Sequence, residues 1–491
     1  MSLSITLRKE KSQMSKSSTI FGNPIKPKVV KSAYKSKRKY QKKYGDDTNA
    51  HYHLGFESIK TLDFLGADNI VFKKDSKKFD EKALIVGNIR MGFGHYRISI
   101  AMASAAKALG YHPYWLDLAS FDATGSKMIR HQNDMYSTAS RLSQKSKLFN
   151  KLVWEPLNSE GFKKITYNAK DQANSELLVP IFEGIPKDTP YIATHVWPSQ
   201  GAIHAGMTHV VNAIPDNWAM GLHLSEGAIH AVQTEYVYLG YKTLNGFAKK
   251  PLQGMSDKDL KMVGCYVDHE LLVNLKKDNE ARKERALSED KPIRILFTVG
   301  GAGAGFKQFL EMIKHLLPYV KQNKVSLFIN FGDHKEVYEK MLQKLGQIEC
   351  HTFFNEYDKL KEFKEKMSKE TISGIYCIYN ENIFEAVYST NLLMPVCDLL
   401  VTKPSELVYY PIPKLFMRHI GGHEVYGAIH GREYGDATWE CPDKKSANTM
   451  LDTIINDGEI ISHMVDAINK LHESGYYNGA YECVKLAVAG K

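Results

Sequence analysis

The sequence predicts an α/β protein of two open, Rossmann-like parallel-sheet domains facing each other across a cleft, preceded by a basic arm. Three observations predict it. Residues 83–95 read Ala-Leu-Ile-Val-Gly-Asn-Ile-Arg-Met-Gly-Phe-Gly-His, an apolar strand running into glycines and then an amphipathic helix. Residues 295–305 repeat the pattern as Ile-Leu-Phe-Thr-Val-Gly-Gly-Ala-Gly-Ala-Gly. Short apolar runs alternate with helical stretches after each turn, as in sheets assembled from βαβ units. Bare backbone N–H groups at a helix start can face an anion, so two such turns suit a phosphorylated ligand held between domains.

The elements follow in order. Residues 1–50 form the arm and 51–80 a transition segment. A first Rossmann-like domain spans 81–275, with strands at 83–87, 111–117, 191–195, 209–214 and 229–233 and a polar helical region at 125–175. The dense charge run 276–291 has no aromatic residue and reads as an exposed helix and linker. A second domain spans 292–455, with the pattern restarting at Ile293 and further strands at 325–330, 373–378, 397–402 and 414–417. The final stretch, 456–491, is helical. In open sheets of this kind ligands sit beyond the carboxyl ends of the strands.

Composition narrows the function classes. The 491 residues are 43% hydrophobic and 24% charged, ordinary for a globular protein. No apolar run approaches the roughly 18 residues of a membrane span, and no apolar core of a secretory signal opens the chain. The expectation is a cytoplasmic protein. The six cysteines are scattered and form no C-x-x-C pair, so neither a disulfide framework nor a metal site is expected. The net charge of +10 lies wholly in residues 1–50, which hold 13 Lys and Arg against three acidic residues. With few apolar residues, this arm is expected to be disordered. It would suit an anionic membrane surface through residues 1–43, giving peripheral attachment; little aromatic interleaving argues against specific nucleic-acid binding. A plain solvated tail is the competing reading.

Three constellations carry chemistry. Gly92, Gly94 and His95 place an imidazole at a helix start, where the dipole favours the neutral form and a role as base. Arg97 follows two residues later and could hold an anion. The alternative is a tight turn with no further duty. Gly300, Gly301, Gly303 and Gly305 form the second turn. It lacks the Lys-Ser/Thr of a P-loop, which argues against ATP or GTP hydrolysis. Residues 321–324, Lys-Gln-Asn-Lys, supply no ribose-binding acid, which disfavours a nicotinamide dinucleotide. Diphosphate contact through backbone N–H groups remains. The third constellation runs from Cys397 to Glu406 and on to Gly421, Gly422, His423 and Glu424. Glu406 at a helix start could accept ribose hydroxyls, and the Gly421-Gly422 turn could approach a sugar or phosphate. The competing readings are a helix-dipole partner for Glu406 and a solvated loop for His423 and Glu424.

At these residues the chain resembles the GT-B glycosyltransferases that include the monogalactosyldiacylglycerol synthase, diacylglycerol glucosyltransferase and peptidoglycan N-acetylglucosaminyltransferase families. Gly92-Phe-Gly-His95 looks like their acceptor-domain turn, and Pro215-Asp216-Asn-Trp218 like an acidic residue after a central strand. Gly264-Cys-Tyr-Val267 resembles their domain-crossover element, with Tyr266 in place of proline. Cys397-Asp, Thr402-Lys403, Pro411-Ile412 and Gly421-Gly-His-Glu424 follow the donor-domain pattern in order. The segment between Lys403 and Pro413 is shorter than the family's, and Prolines 404, 411 and 413 shorten the helix that bears Glu406.

The resemblance implies transfer of a sugar from a UDP-sugar donor, with inversion, to an acceptor hydroxyl that is either lipid-linked or soluble. His95 or Asp216 would take the acceptor's proton. The glycine turn, Lys403, Glu406, Gly421, Gly422, His423 and Glu424 would hold the nucleotide-sugar. The donor is a substrate, so neither a cofactor nor a metal is implied. The shortened segment also fits a non-catalytic nucleotide-binding or scaffold protein on a degenerate fold. A nucleotide-sugar epimerase or hydrolase would use the same framework.

Overall fold

The computed structural model describes residues 16–300 and 305–490. They fall into two compact units. The first takes residues up to Met91, Ile98–Gly264 and Asn478 onward; the second takes Gly92–Arg97 and Cys265–Tyr477.

The first unit is organised by an eight-stranded sheet. Its strands are β1 (Leu54–Ser58), β2 (Asp68–Phe72), β3 (Ala83–Asn88), β4 (His112–Asp117), β5 (Tyr191–Ala193), β6 (Val210–Ala213), β7 (Ile229–Val232) and β8 (Leu260–Met262). They lie in the order β8-β7-β6-β5-β3-β4-β2-β1. All pairs are parallel except β1 with β2. Strand β3 is buried along its whole length, as expected of a central parallel strand covered on both faces. Strands β1 and β2 occupy the segment expected to be a mere transition. Leu54 and Ile70 are buried there, but polar neighbours interrupt the period-2 signal in sequence.

The expected disorder of the arm is corrected by the structure for residues 16–50; residues 1–15 lie outside the described residues. Thr19–Ile20 and Asn23–Pro24 pair as a small antiparallel hairpin, and Pro27–Tyr44 forms an 18-residue helix, α1. Ile20, Phe21, Ile25 and Val30 join a core cluster with Ile165, Leu224 and Tyr241. Val30, Ala33 and Tyr40 are buried at helical spacing. On the same side Lys37 reaches Glu176 at 2.5 Å, and the Tyr34 hydroxyl donates to Glu176 at 2.8 Å. The lysine density had masked a sparse apolar stripe that suffices because a carboxylate waits beneath it.

The second unit holds a seven-stranded, all-parallel sheet of β9 (Ile293–Thr298), β10 (Val325–Asn330), β11 (His351–Phe354), β12 (Gly374–Tyr379), β13 (Leu399–Thr402), β14 (Lys414–Met417) and β15 (Ala437–Cys441). Their order is β11-β12-β10-β9-β13-β14-β15. The strand order reverses beside β9, so the crevice where such sheets bind ligands lies at the carboxyl ends of β9 and β13.

The charge run expected as an exposed linker is instead a packed helix, Leu275–Ala286, inside the second unit. Its Arg282 is 1% exposed and donates to the carbonyls of Met394 (2.6 Å), Cys397 (2.9 Å) and Pro411 (3.3 Å). Leu275, Asn279, Arg282 and Ala286 form its buried face. The units divide at Gly264–Cys265, ahead of that helix. The C-terminal stretch also divides: Glu459–Glu473 stays with the second unit, and Gly479–Ala489 returns to the first.

Candidate functional site

The carboxyl ends of β9 and β13 gather the second unit's candidate residues. Beyond β9 the chain reaches Gly300, whose carbonyl accepts a hydrogen bond from His334 Nε2 at 3.0 Å. Gly301 and Gly303 lie outside the described residues. Gly305 resumes the chain in the left-handed region (φ +86°) and leads into the helix Phe306–Lys321. A side chain there would be strained, so this glycine shapes the turn.

Lys403 follows β13. A Cβ placed on Gly300 would come within 2.9 Å of Lys403 Cε, so the lysine stem lies directly against the glycine. Its ammonium pairs with Glu424 Oε1. The other oxygen of Glu424 accepts from the N–H of Ile420 (2.7 Å) and Gly421 (3.4 Å). The carboxylate is thereby fixed against the Gly421-Gly422 turn, where it is 7% exposed. Lys403 keeps a quarter of its side chain in solvent. His423 sits in the same short 3-10 turn, Gly422–Glu424, for which the structure describes its backbone. Gly300, Lys403, Gly421, Gly422 and Glu424 are therefore one cluster.

Glu406 opens a single 3-10 turn, Glu406–Tyr409, in place of a full helix. Its carboxyl lies 3.5 Å from where a Cβ on Gly94 would be. Gly94 begins the helix Gly94–Ala108, so Glu406 faces a helix N-terminus, where a negative charge is favoured. Gly92 adopts φ +79° at the bend into this turn. Half-buried His95 occupies the helix's first turn.

Arg97 departs from the expected anion-holding role. It is 2% exposed, donates to Asn391 Oδ1, and lies 5.9 Å from the Tyr410 ring centroid. Asn391 in turn donates to Asp268 at 2.8 Å, which also accepts from the Tyr388 hydroxyl at 3.3 Å. Asp268 is fully buried, and burial, with Glu270 nearby, pushes its pKa up to about 7 despite those bonds. Arg97 thus belongs to an internal polar network.

In the first unit, Asp216 lies beyond β6 on a partly open surface, with 31% of its side chain exposed. Its Oδ2 is 3.1 Å from Nε2 of His223, which is 3% exposed. Asn212, at the end of β6, donates to the His223 carbonyl at 2.8 Å. Asn168 braces the same turn through the carbonyls of Gly221 (2.9 Å) and Leu224 (2.7 Å). An imidazole held in place behind a solvent-facing carboxylate can fix that carboxylate's orientation. Sequence reading found Asp216 and missed His223, seven residues on in an irregular segment with no periodicity. The signal available was the Asp216…His223 spacing across a loop that follows a buried strand.

Residues 19–243 match a family described as Domain of unknown function (DUF6937), and residues 255–488 match Domain of unknown function (DUF6938). No curated protein matches the sequence. Among solved structures, the chain is similar to the UDP-GlcNAc 2-epimerase from Neisseria meningitidis bound to UDP-GlcNAc, at 10% identity and a TM-score of 0.45, over 83% of this chain and 98% of that one. It is similar to WaaG, a glycosyltransferase involved in lipopolysaccharide biosynthesis, at 12% identity and a TM-score of 0.43, over 83% and 100%. The S. aureus MnaA–UDP co-structure gives 12% identity and a TM-score of 0.44, over 81% and 94%. At these scores none of the likenesses bears on this chain's chemistry.

Proposed function

We propose that the protein binds a uridine-diphosphate sugar on its second unit and transfers the sugar, with inversion, to an acceptor hydroxyl. The observation that carries this reading is the Gly300–Lys403–Glu424 cluster at the sheet's crevice. A cation whose stem lies on a glycine turn, with its head held by a carboxylate, suits a diphosphate on the cation and sugar hydroxyls on the carboxylate. Glu406, at the next turn, takes the ribose hydroxyls.

In the reaction the acceptor oxygen attacks the anomeric carbon as the bond from that carbon to the diphosphate oxygen breaks. His95 or Asp216 accepts the hydroxyl proton, and UDP leaves carrying the electron pair. Lys403 and the backbone N–H groups of the glycine turn meet the charge developing on the departing diphosphate. His223 positions Asp216 for this role.

Titration calorimetry with UDP, using ADP and GDP as controls, tests the reading. Selective UDP binding that weakens in Lys403→Met supports it. A folded protein that binds none of the three overturns it. UDP binding with no turnover of any UDP-sugar would leave a nucleotide-binding protein without transferase activity.

A further inference from the structure

We infer that the first unit carries a binding face for an anionic lipid bilayer, made by the outer side of α1 and the apolar segment beyond the helix Thr124–Lys145. The inference is independent of sugar transfer. Residues 11–45 contain no acidic residue. Once α1 docks through Val30, Ala33 and Tyr40, its outer side presents Lys28, Lys31, Lys35, Arg38 and Lys42 in one exposed row, with Lys39 and Lys43 beside it. From Lys28 to Lys42 this ridge is about 21 Å long. A straight cationic ridge of that length matches a flat anionic surface.

The second observation is apolar. Leu148, Leu152 and Val153 are 69%, 64% and 48% exposed, and Met135 and Leu142 are 51% and 45% exposed. This density of exposed large aliphatic side chains in one stretch marks an interaction surface. The helix that leads to it packs on the inward side of the carboxyl end of α1. The rings of Tyr40 and Tyr44 meet His131 at 6.0 and 6.3 Å, and Thr124 Oγ1 donates to the Gly45 carbonyl at 2.8 Å. These contacts join the last turn of α1 to the first half of that helix. Met135, Thr138 and Leu142 follow His131 at helical spacing on one side of their helix, and Met135 and Leu142 are left exposed there.

An exposed cationic row together with exposed leucines on one unit favours a bilayer over a nucleic acid. Acyl chains near the headgroups accept leucine side chains, whereas a phosphate backbone has no use for them. The tyrosines of α1, which could stack on bases, are turned inward or half-buried.

The test is co-sedimentation of the full chain with phosphatidylcholine vesicles, with and without phosphatidylglycerol, at two salt concentrations. Binding should require phosphatidylglycerol and weaken with salt. Replacing Lys28, Lys31, Lys35, Arg38 and Lys42 with Gln should lower partitioning by more than about a hundredfold, since each contributes near an anionic surface. Leu148→Ser with Leu152→Ser should weaken binding several-fold and leave the salt dependence intact. All seven side chains are exposed, and a circular-dichroism melt unchanged from wild type shows that each variant is folded. Equal binding to both vesicle types, or to neither, overturns the inference. So does tight binding to a single-stranded oligonucleotide that the leucine substitutions leave unchanged.

Discussion

The two ends of the second unit's sheet use charge in opposite ways. At the strand starts, charges are buried and bonded inward. Lys414, at the head of β14, is 0% exposed and holds Asp436 at 2.6 Å together with the carbonyls of Tyr410 (2.9 Å) and Ile412 (3.0 Å). Arg285 holds Asp398 at 2.8 Å, just ahead of β13, and Arg294 caps the carbonyls of Met367 (2.8 Å) and Val396 (3.2 Å). At the strand ends, Lys403 keeps a quarter of its side chain in solvent, and its partner Glu424 lies on a glycine turn. Charge of the first kind fixes connections between strands. Charge of the second kind can exchange its partner for a ligand without unfolding anything.

The largest expected effect breaks a strand-start pair. Lys414→Met leaves Asp436 buried without its cation and should cost about 3–5 kcal/mol of stability. Urea denaturation measures it. Below the unfolding transition, UDP affinity should be unchanged, because this pair lies at the far ends of the strands from Lys403. A loss of affinity at full folding would erase the distinction between the two ends.

Asp268 sharpens the comparison, because it is buried like the strand-start charges but its bonded partners, Asn391 and Tyr388, are neutral. Burial and Glu270 favour its protonated form, with Arg97 opposing, where Asp436 is met directly by a lysine. Its folded pKa of about 7 stands above the ordinary 3.8. The folded state retains the proton through a range where the unfolded chain has lost it. Its contribution is complete below about pH 4, declines as the pH rises toward 7, and is gone above that, a span of up to about 4 kcal/mol. The stability difference between wild type and Asp268→Asn, followed by urea denaturation from pH 4 to 8, should drift against wild type across that window. A flat difference would mean that the carboxyl is ionised in the fold.

Both sheets were legible in the sequence because parallel strands buried on two faces read as unbroken apolar runs, such as Ile293–Thr298 and Val325–Asn330. The strand-end cluster was legible because Gly300 and Lys403 sit immediately beyond such runs and Glu424 follows a glycine pair. The outer strands β1, β2, β8, β11 and β15 escaped, and so did the packing of two helices. Helix α1 and the helix Leu275–Ala286 looked solvated because lysines and glutamates outnumber the few inward residues, Val30, Ala33 and Tyr40 in one and Leu275, Arg282 and Ala286 in the other. Their docking depends on acceptors far away in sequence, Glu176 for Lys37 and the Cys397 carbonyl for Arg282. Burial of Arg97 was hidden for the same reason, since Asn391 lies in another part of the chain. No local pattern announces a partner more than a hundred residues off.

At the strand ends, Glu424→Gln should lower UDP-sugar affinity about tenfold. Stability should fall by no more than about 1 kcal/mol, because Lys403 reaches water once its partner is gone. Parallel calorimetry and denaturation separate the two readouts; a loss of several kcal/mol would reclassify the pair as structural.

The smallest change acts through a methyl group. Gly300→Ala adds a Cβ 2.9 Å from Lys403 Cε, too close to coexist with the present rotamer. The obstacle is the far end of a flexible side chain, so the lysine can swing aside. Swinging draws its ammonium away from Glu424 and from the glycine turn. Stability should therefore shift by less than about 0.5 kcal/mol, while UDP affinity drops several-fold. Adding Lys403→Met to Gly300→Ala distinguishes this route from a distorted turn. If the methyl acts through the lysine, the double variant should bind UDP no more weakly than Lys403→Met alone. If the losses add, the alanine has deformed the backbone that receives the phosphates, and Lys403 is not the intermediary.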